Sequence, residues 1–130
     1  MFALDTDTVS YFLRGQGRVA ARLSLADPAS IGIPSIVLHE LRCGMLRAGG
    51  GTRKRDDLES FLGAIAGLDF DARSADAAAE ARLELDRQGQ QIGPFDILIA
   101  GTALASGATL VTHNVREFER IRNLRLEDWY

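Results

Sequence analysis

Met1-Phe2-Ala3-Leu4-Asp5-Thr6-Asp7-Thr8 opens the chain. Apolar and small residues lead into two carboxylates, and apolar spacing resumes at Val9, Tyr11, Phe12 and Leu13. This reads as a short buried strand that delivers Asp5 to its carboxyl end, followed by a helix starting near Thr8. In an open parallel sheet, ligands bind at the carboxyl ends of the strands, so a carboxylate there is a candidate ligand for a hard cation. Asp and Thr also cap helix starts. Capping is the preferred reading for Asp7 and a weaker one for Asp5, which still belongs to the strand.

Working outward, strands are expected near residues 2–5, 31–33, 68–70, 109–112 and 125–127, with helices between them. Val19, Ala20, Leu23 and Ala26 mark a short helix ended by Asp27-Pro28. Pro34 stops the second strand, and Ser35 is expected to cap a helix carrying Ile36, Val37, Leu38, Leu41, Met45 and Leu46. Gly49-Gly50-Gly51 is a break, and Arg53 to Asp57 should open the solvated first turn of the next helix. Ser74 is expected to cap an alanine-rich helix from Ala75 to about Arg87, ended by Gly89. Gly93-Pro94 opens a nearly continuous apolar helix, buried on most sides, and Gly107 closes it. Trp129 reads as a packing anchor. Strand and helix in alternation predict a parallel sheet with helices on both faces, joined by right-handed crossovers.

Composition narrows the classes. The 130 residues fit one domain; 46% apolar and 25% charged residues are ordinary for a globular protein. No apolar run approaches a membrane span, and acids stand where a signal peptide would carry basic residues, which predicts a cytoplasmic protein. One cysteine, Cys43, excludes an intrachain disulfide. A net charge of −3 advertises no global basic field for nucleic acid, although acids gathered around a cation would mask local basic patches.

Two further acids interrupt apolar helix faces. Glu40 shares a face with Ile36, Val37 and Gly44, where a carboxylate is costly unless it is paired, cation-bound or at the wet edge of the stripe. Asp96 sits alone in the first turn of the most apolar helix, a position the helix macrodipole also favours. His39-Glu40 is no zinc-protease motif, because Cys43 occupies the place of the second histidine. The predicted topology brings Asp5, Asp96 and His113-Asn114 to one rim of the sheet, and Glu40 can point there too. Oxygen ligands without a nearby Lys or Cys describe a site for Mg²⁺ or Mn²⁺, suited to water attack on a phosphodiester. A dinucleotide site is excluded, since Leu4-Asp5-Thr6-Asp7 contains no glycine.

These pieces together resemble the PIN-domain ribonucleases, specifically the VapC-type toxins of type II toxin–antitoxin systems. The matching stretches are Leu4-Asp5-Thr6, Ser35-Ile36-Val37-Leu38-His39-Glu40-Leu41-Arg42-Cys43-Gly44, Ile92-Gly93-Pro94-Phe95-Asp96-Ile97-Leu98-Ile99-Ala100, Leu110 to Phe118, and Leu126-Glu127-Asp128-Trp129. The resemblance implies an α/β/α sandwich over residues 1–130 with a mostly parallel sheet of about five strands. It also implies Mg²⁺- or Mn²⁺-dependent endoribonuclease activity on an RNA substrate such as transfer or ribosomal RNA, a cognate VapB-type antitoxin that blocks the site, and a homodimer. Asp5, Glu40 and Asp96 become the catalytic, metal-holding acids, with Thr6 in support. One departure stands out: many PIN domains carry a fourth acid where this chain has Asn114, with Glu117 and Glu119 further along.

Two rival readings remain. Asp5-Thr6-Asp7-Thr8 also matches the opening motif of haloacid-dehalogenase-like phosphatases, with Asp5 as nucleophile and Asp7 as acid/base. That chemistry wants a positioned lysine, and the chain's one lysine is Lys54. The other rival is a non-catalytic RNA- or protein-binding module whose acids are caps and solvated surface.

Overall fold

The computed structural model describes residues 1–49 and 51–130. Five strands are described: β1 (Phe2–Leu4), β2 (Ile31–Pro34), β3 (Ala66–Leu68), β4 (Thr109–Val111) and β5 (Leu126–Glu127). The helices are α1 (Thr6–Leu13), α2 (Val19–Leu25), α3 (Ser35–Arg47), α4 (Thr52–Gly63), α5 (Ala72–Arg87), α6 (Pro94–Ala105) and α7 (Val115–Phe118), plus a 3₁₀ turn at Pro28–Ser30. The strands lie in the order β3-β2-β1-β4-β5. Every pairing is parallel, with Phe2 opposite both Ile31 and Thr109, and Leu4 opposite Val111. This is the expected α/β sheet.

The order places β1 at the centre, and there lies its functional consequence. The chain leaves β1 toward β2 on one side, while β4 flanks it on the other. The crevice between the carboxyl ends of β1 and β4 is therefore the topological switch point, where open α/β sheets bind ligands. Asp5 follows β1 and Thr112 follows β4.

Buried residues of β1, β2 and β4 join Val9, Val37, Leu58, Leu85, Ile97, Ile99, Phe118 and Trp129 in one apolar cluster. Trp129 is 2% exposed, rests on the Phe2 ring at 5.2 Å, and donates from its indole N–H to Glu127 Oε2 at 2.7 Å. It is the anchor its composition suggested.

Helix α6 packs along α5 so closely that a Cβ at Gly101 would lie 2.7 Å from both the Ser74 carbonyl and the Ala78 Cβ. Since one neighbour is backbone, no rotamer change relieves the clash. Gly101→Ala is expected to force the two helices apart and to destabilise the fold by about 1–3 kcal/mol, read as a drop in the urea midpoint with an unchanged m-value.

Several boundaries differ from expectation. Helix α1 begins at Thr6, and its cap is Asp5, whose Oδ1 accepts from the Thr8 N–H at 2.9 Å; Asp7, preferred for that role, is exposed in the first turn. Similarly, α5 begins at Ala72 with Asp71 as cap, accepting from the Ser74 N–H at 3.0 Å. In both cases an Asp earlier in the chain takes the β-region conformation that lets its carboxylate fold back on the first turn. Ser35 is the first residue of α3 rather than its cap, and its hydroxyl donates to the Leu68 carbonyl at 3.3 Å. Strand β3 spans Ala66–Leu68 rather than 68–70. Gly50, the middle of the triple glycine, lies outside the described residues. Among those described, no helix is long and apolar enough to cross a membrane.

Candidate active site

Three elements converge on the switch point. Asp5 is placed by β1: its N–H donates to the Val111 carbonyl at 3.1 Å, which locks the strand end against β4. Its side chain is 6% exposed, and burial raises its pKa against the lowering effect of hydrogen bonds from Thr112 and Thr8. Thr8 in turn donates its hydroxyl to the Val111 carbonyl at 3.0 Å. Capping and burial are thus compatible with a site role, because capping engages one oxygen of a carboxylate that has two.

Glu40 arrives on the second turn of α3 and is half-buried. The Thr6 hydroxyl donates to Glu40 Oε1 at 2.7 Å, tying the residue after Asp5 directly to α3. Asp96 arrives on the first turn of α6. The residues preceding these two acids also meet, His39 and Phe95 lying edge to face at 5.6 Å.

Electrostatics record the convergence most clearly. The Asp96 pKa is pushed up from the ordinary 3.8 to about 6, first by burial and then by the negative charges of Glu40, Asp5, Glu117 and Asp7. A helix N-terminus should favour a carboxylate. Here burial first, and then four neighbouring acids, outweigh the helix. Acids from α1, α3, α6 and α7 therefore share one electrostatic pocket.

The fourth position is divided. Asn114 accepts no ionic role of its own: its N–H donates to the Thr112 hydroxyl at 3.0 Å and its amide to Glu117 Oε2 at 3.1 Å. Glu117 is thereby held toward the pocket and its charge reaches Asp96, whereas Glu119 is exposed and is not among the charges acting there. Asp7 also contributes charge, a role that reading it as a cap missed; its place one residue past Thr6 on α1 was the available signal.

The donor set fits a hard divalent ion. The pocket offers carboxylate and hydroxyl oxygens, with the carboxylates repelling one another, which is the chemistry Mg²⁺ and Mn²⁺ seek. Among the described residues, no three His, Cys, Asp or Glu side chains already form a ligand group. Mg²⁺ characteristically keeps several of its own waters, so a full protein cage is not required.

Beside the carboxylates, α1, α3 and α4 enclose a cavity of about 430 Å³ whose lining includes Thr6, Ser10, Glu40, Leu41, Met45 and Lys54. On the other flank, an aromatic rim rises next to Thr112. His113 and Tyr130 stack at 4.4 Å, and Tyr11 meets both edge-on, at 5.9 and 4.7 Å. The Tyr11 phenol has a raised pKa, through desolvation first and then the charges of Asp7, Tyr130 and Asp5, so this rim borders the acidic pocket.

Comparison with known proteins matches this geometry to a family. The PIN domain family model covers residues 2–124. The chain belongs to the PIN domain family. Within it, the chain is 39% identical over 129 residues to the tRNA(fMet)-specific endonuclease VapC of Shigella flexneri, covering 98% of this chain and 97% of that protein. It is 43% identical over 105 residues to Ribonuclease VapC2 of Rickettsia felis, covering 81% and 78% respectively. Among solved structures, VapBC2 from Rickettsia felis bound to a promoter DNA fragment superposes with a TM-score of 0.92 at 37% identity, over 99% of this chain and 98% of that one. This PIN-domain chain therefore stands in the VapC ribonuclease branch, and the α/β/α sandwich is that of VapBC structures. The phosphatase reading of Asp5-Thr6-Asp7-Thr8 is set aside by the same match.

Proposed function

We infer that the chain is the toxin of a type II toxin–antitoxin pair and acts as a Mg²⁺- or Mn²⁺-dependent endoribonuclease, with Asp5, Glu40 and Asp96 holding the ion. The observation that carries the reading is the Asp96 carboxyl, pushed up to about 6 by burial and by acids from three other segments. Burying like charges together is costly unless a cation joins them. The VapC names of the relatives and the VapBC complex among structural neighbours support both the activity class and a VapB-type antitoxin as partner. Transfer RNA is the first substrate to test, because the Shigella flexneri relative is named for it. A homodimer belongs to the same reading.

A divalent cation bound here supplies Lewis acidity, neutralising charge on the phosphate and acidifying a water. The protein's own part is positioning. Asp5 is fixed at the sheet by its backbone bond to Val111, Glu40 is oriented by the Thr6 hydroxyl, and Asp96 is carried on a helix buried along most of its length. Glu117, steadied by Asn114, adds charge at the edge. Loss of Asn114 with Glu117 retained should therefore cost less than loss of any of the three central acids.

Inducing the chain alone in a bacterial host is expected to arrest growth, and co-expressing its neighbouring small open reading frame to restore it. Continued growth without that partner would count against the toxin role. A wild-type protein that arrests growth yet leaves transfer RNA, ribosomal RNA and messenger RNA intact on sequencing gels would count against the activity.

A further inference from the structure

The aromatic rim is unexplained by packing. Tyr130 is 45% exposed, and the His113 side chain is 47% exposed. The anchor of this segment is the neighbouring Trp129, which is buried, bonded through its indole and backed by the Arg22 guanidinium at 5.2 Å. The fold does not need the Tyr130 ring to hold the segment down, yet it fixes that ring and its partner with care. His113 Nδ1 lies 2.9 Å from Asp128 Oδ2, and Asp128 Oδ1 accepts from the Tyr130 N–H at 3.0 Å, so one carboxylate orients both members of the stack. Gly17, at φ +66, lets the Tyr130 backbone approach: a Cβ there would come within 2.8 Å of it. Two arginines edge the cluster, Arg14 with its guanidinium 5.8 Å from the Tyr11 ring and Arg18 with its Nε–H donating to the Tyr130 carbonyl at 3.4 Å.

We propose that the His113–Tyr130 stack, edged by Tyr11, is a base-stacking subsite that receives one unpaired nucleobase of the RNA beside the carboxylate pocket, with Arg14 and Arg18 attracting the adjoining phosphates. This rests on the nuclease reading above. Aromatic side chains bind unpaired bases by stacking, and sequence-tolerantly, because every base presents a π-face. His113 directly follows Thr112, whose hydroxyl bonds to Asp5, so the stack is tied to the edge of the acidic pocket. The subsite is preorganised: its rings are already ordered by Asp128, so little side-chain freedom remains to be lost on binding. It predicts a preference for loops and single strands over duplex, in which bases are already stacked on one another.

The test uses the full chain in two forms. In an Asp96→Asn background measured in EDTA, where turnover is expected to be slow enough for binding to be read, affinity for a single-stranded RNA octamer is compared by fluorescence anisotropy with affinity for the same sequence in a duplex. Adding Tyr130→Ala or His113→Ala is expected to weaken octamer binding about 5- to 100-fold, with duplex binding changed less than about twofold and the melting temperature nearly unaltered. Tyr130→Phe, which keeps the ring, should restore affinity. In the otherwise wild-type chain, Tyr130→Ala should raise KM for a hairpin-loop RNA by a similar factor with kcat within about threefold, as expected for a group that binds without reacting. Unchanged octamer affinity in both alanine variants would overturn the subsite while leaving the nuclease intact. A Tyr130→Phe variant as weak as Tyr130→Ala would also overturn it. A wild-type chain that neither cleaves nor binds RNA would remove both readings, and is distinguishable because no variant is needed to see it.

Discussion

Replacing Asp96 by asparagine is expected to lower RNA cleavage by about 10²–10³-fold, the range for removing one charged group from a site whose chemistry relies on several kcal/mol of electrostatic stabilisation. The same substitution should make the metal-free protein more stable at neutral pH, and the sign follows from its titration. Asp96 holds its proton up to about 6 in the folded chain against an ordinary 3.8. A carboxyl whose folded pKa is raised favours the folded state while protonated; that contribution is fully present below pH 3.8 and is lost as pH rises to about 6. Above that, the ionised Asp96 is a net penalty, about 1 kcal/mol after discounting for its partial exposure and solvent screening. Asparagine never ionises. Measured in EDTA, the Asp96→Asn variant should therefore melt about 3–6 °C above wild type at about pH 7.5, with the difference shrinking toward zero near pH 4. Activity within about threefold of wild type would remove Asp96 from the site and return weight to the non-catalytic binding module. An equal melting difference at both pH values would show that the gain is not a titration effect.

Chelation should have the second large effect. Dialysis into EDTA is expected to bring cleavage of transfer RNA below detection, and Mg²⁺ or Mn²⁺ to restore it, whereas Ca²⁺, larger and less demanding in geometry, should bind with little turnover. A cation that binds only the folded chain should also stabilise it, by about 2.7 kcal/mol at a hundredfold excess over Kd. In wild type this reverses the penalty just described. In Asp96→Asn, and likewise in Asp5→Asn or Glu40→Gln, Mg²⁺ should move the melting temperature far less. The two readouts are independent: cleavage that persists in chelator would take the metal out of the mechanism, while a Mg²⁺-induced shift as large in all three variants as in wild type would place the ion elsewhere.

The fourth position of the site is shared between an amide and a nearby acid. Asn114 stands where an acid is common, and its amide bonds to Glu117, whose charge still reaches Asp96. The Asn114 amide thus supports a carboxylate carried on α7. Under the proposed function, fewer carboxylates in the centre than in a four-acid site would favour one tightly held cation over two.

Most of the architecture was legible in the amino-acid order, because it is set by local physics. Short apolar runs mark most of the strands, with Pro34 stopping β2 and Gly107 preceding β4, 3.6-residue spacing marks the helices, and alternation of the two dictates a parallel sheet whose carboxyl rim collects whatever acids follow the strands. Asp5, Glu40 and Asp96 stood out for the same reason: each interrupts an apolar stretch where a lone charge is expensive. Cap identities at Asp5 and Asp71 were misread because neighbouring Asp, Thr and Ser residues compete for one role, and backbone conformation at the helix start decides among them. What only the tertiary structure decided are the through-space relations: Thr6 bonding to Glu40 across 34 positions of chain, Glu117 rather than Glu119 acting on Asp96, and His113 stacked on Tyr130. Each pair joins separate elements of the fold, and its energy depends on distance and dielectric in the folded chain, quantities that no local pattern encodes.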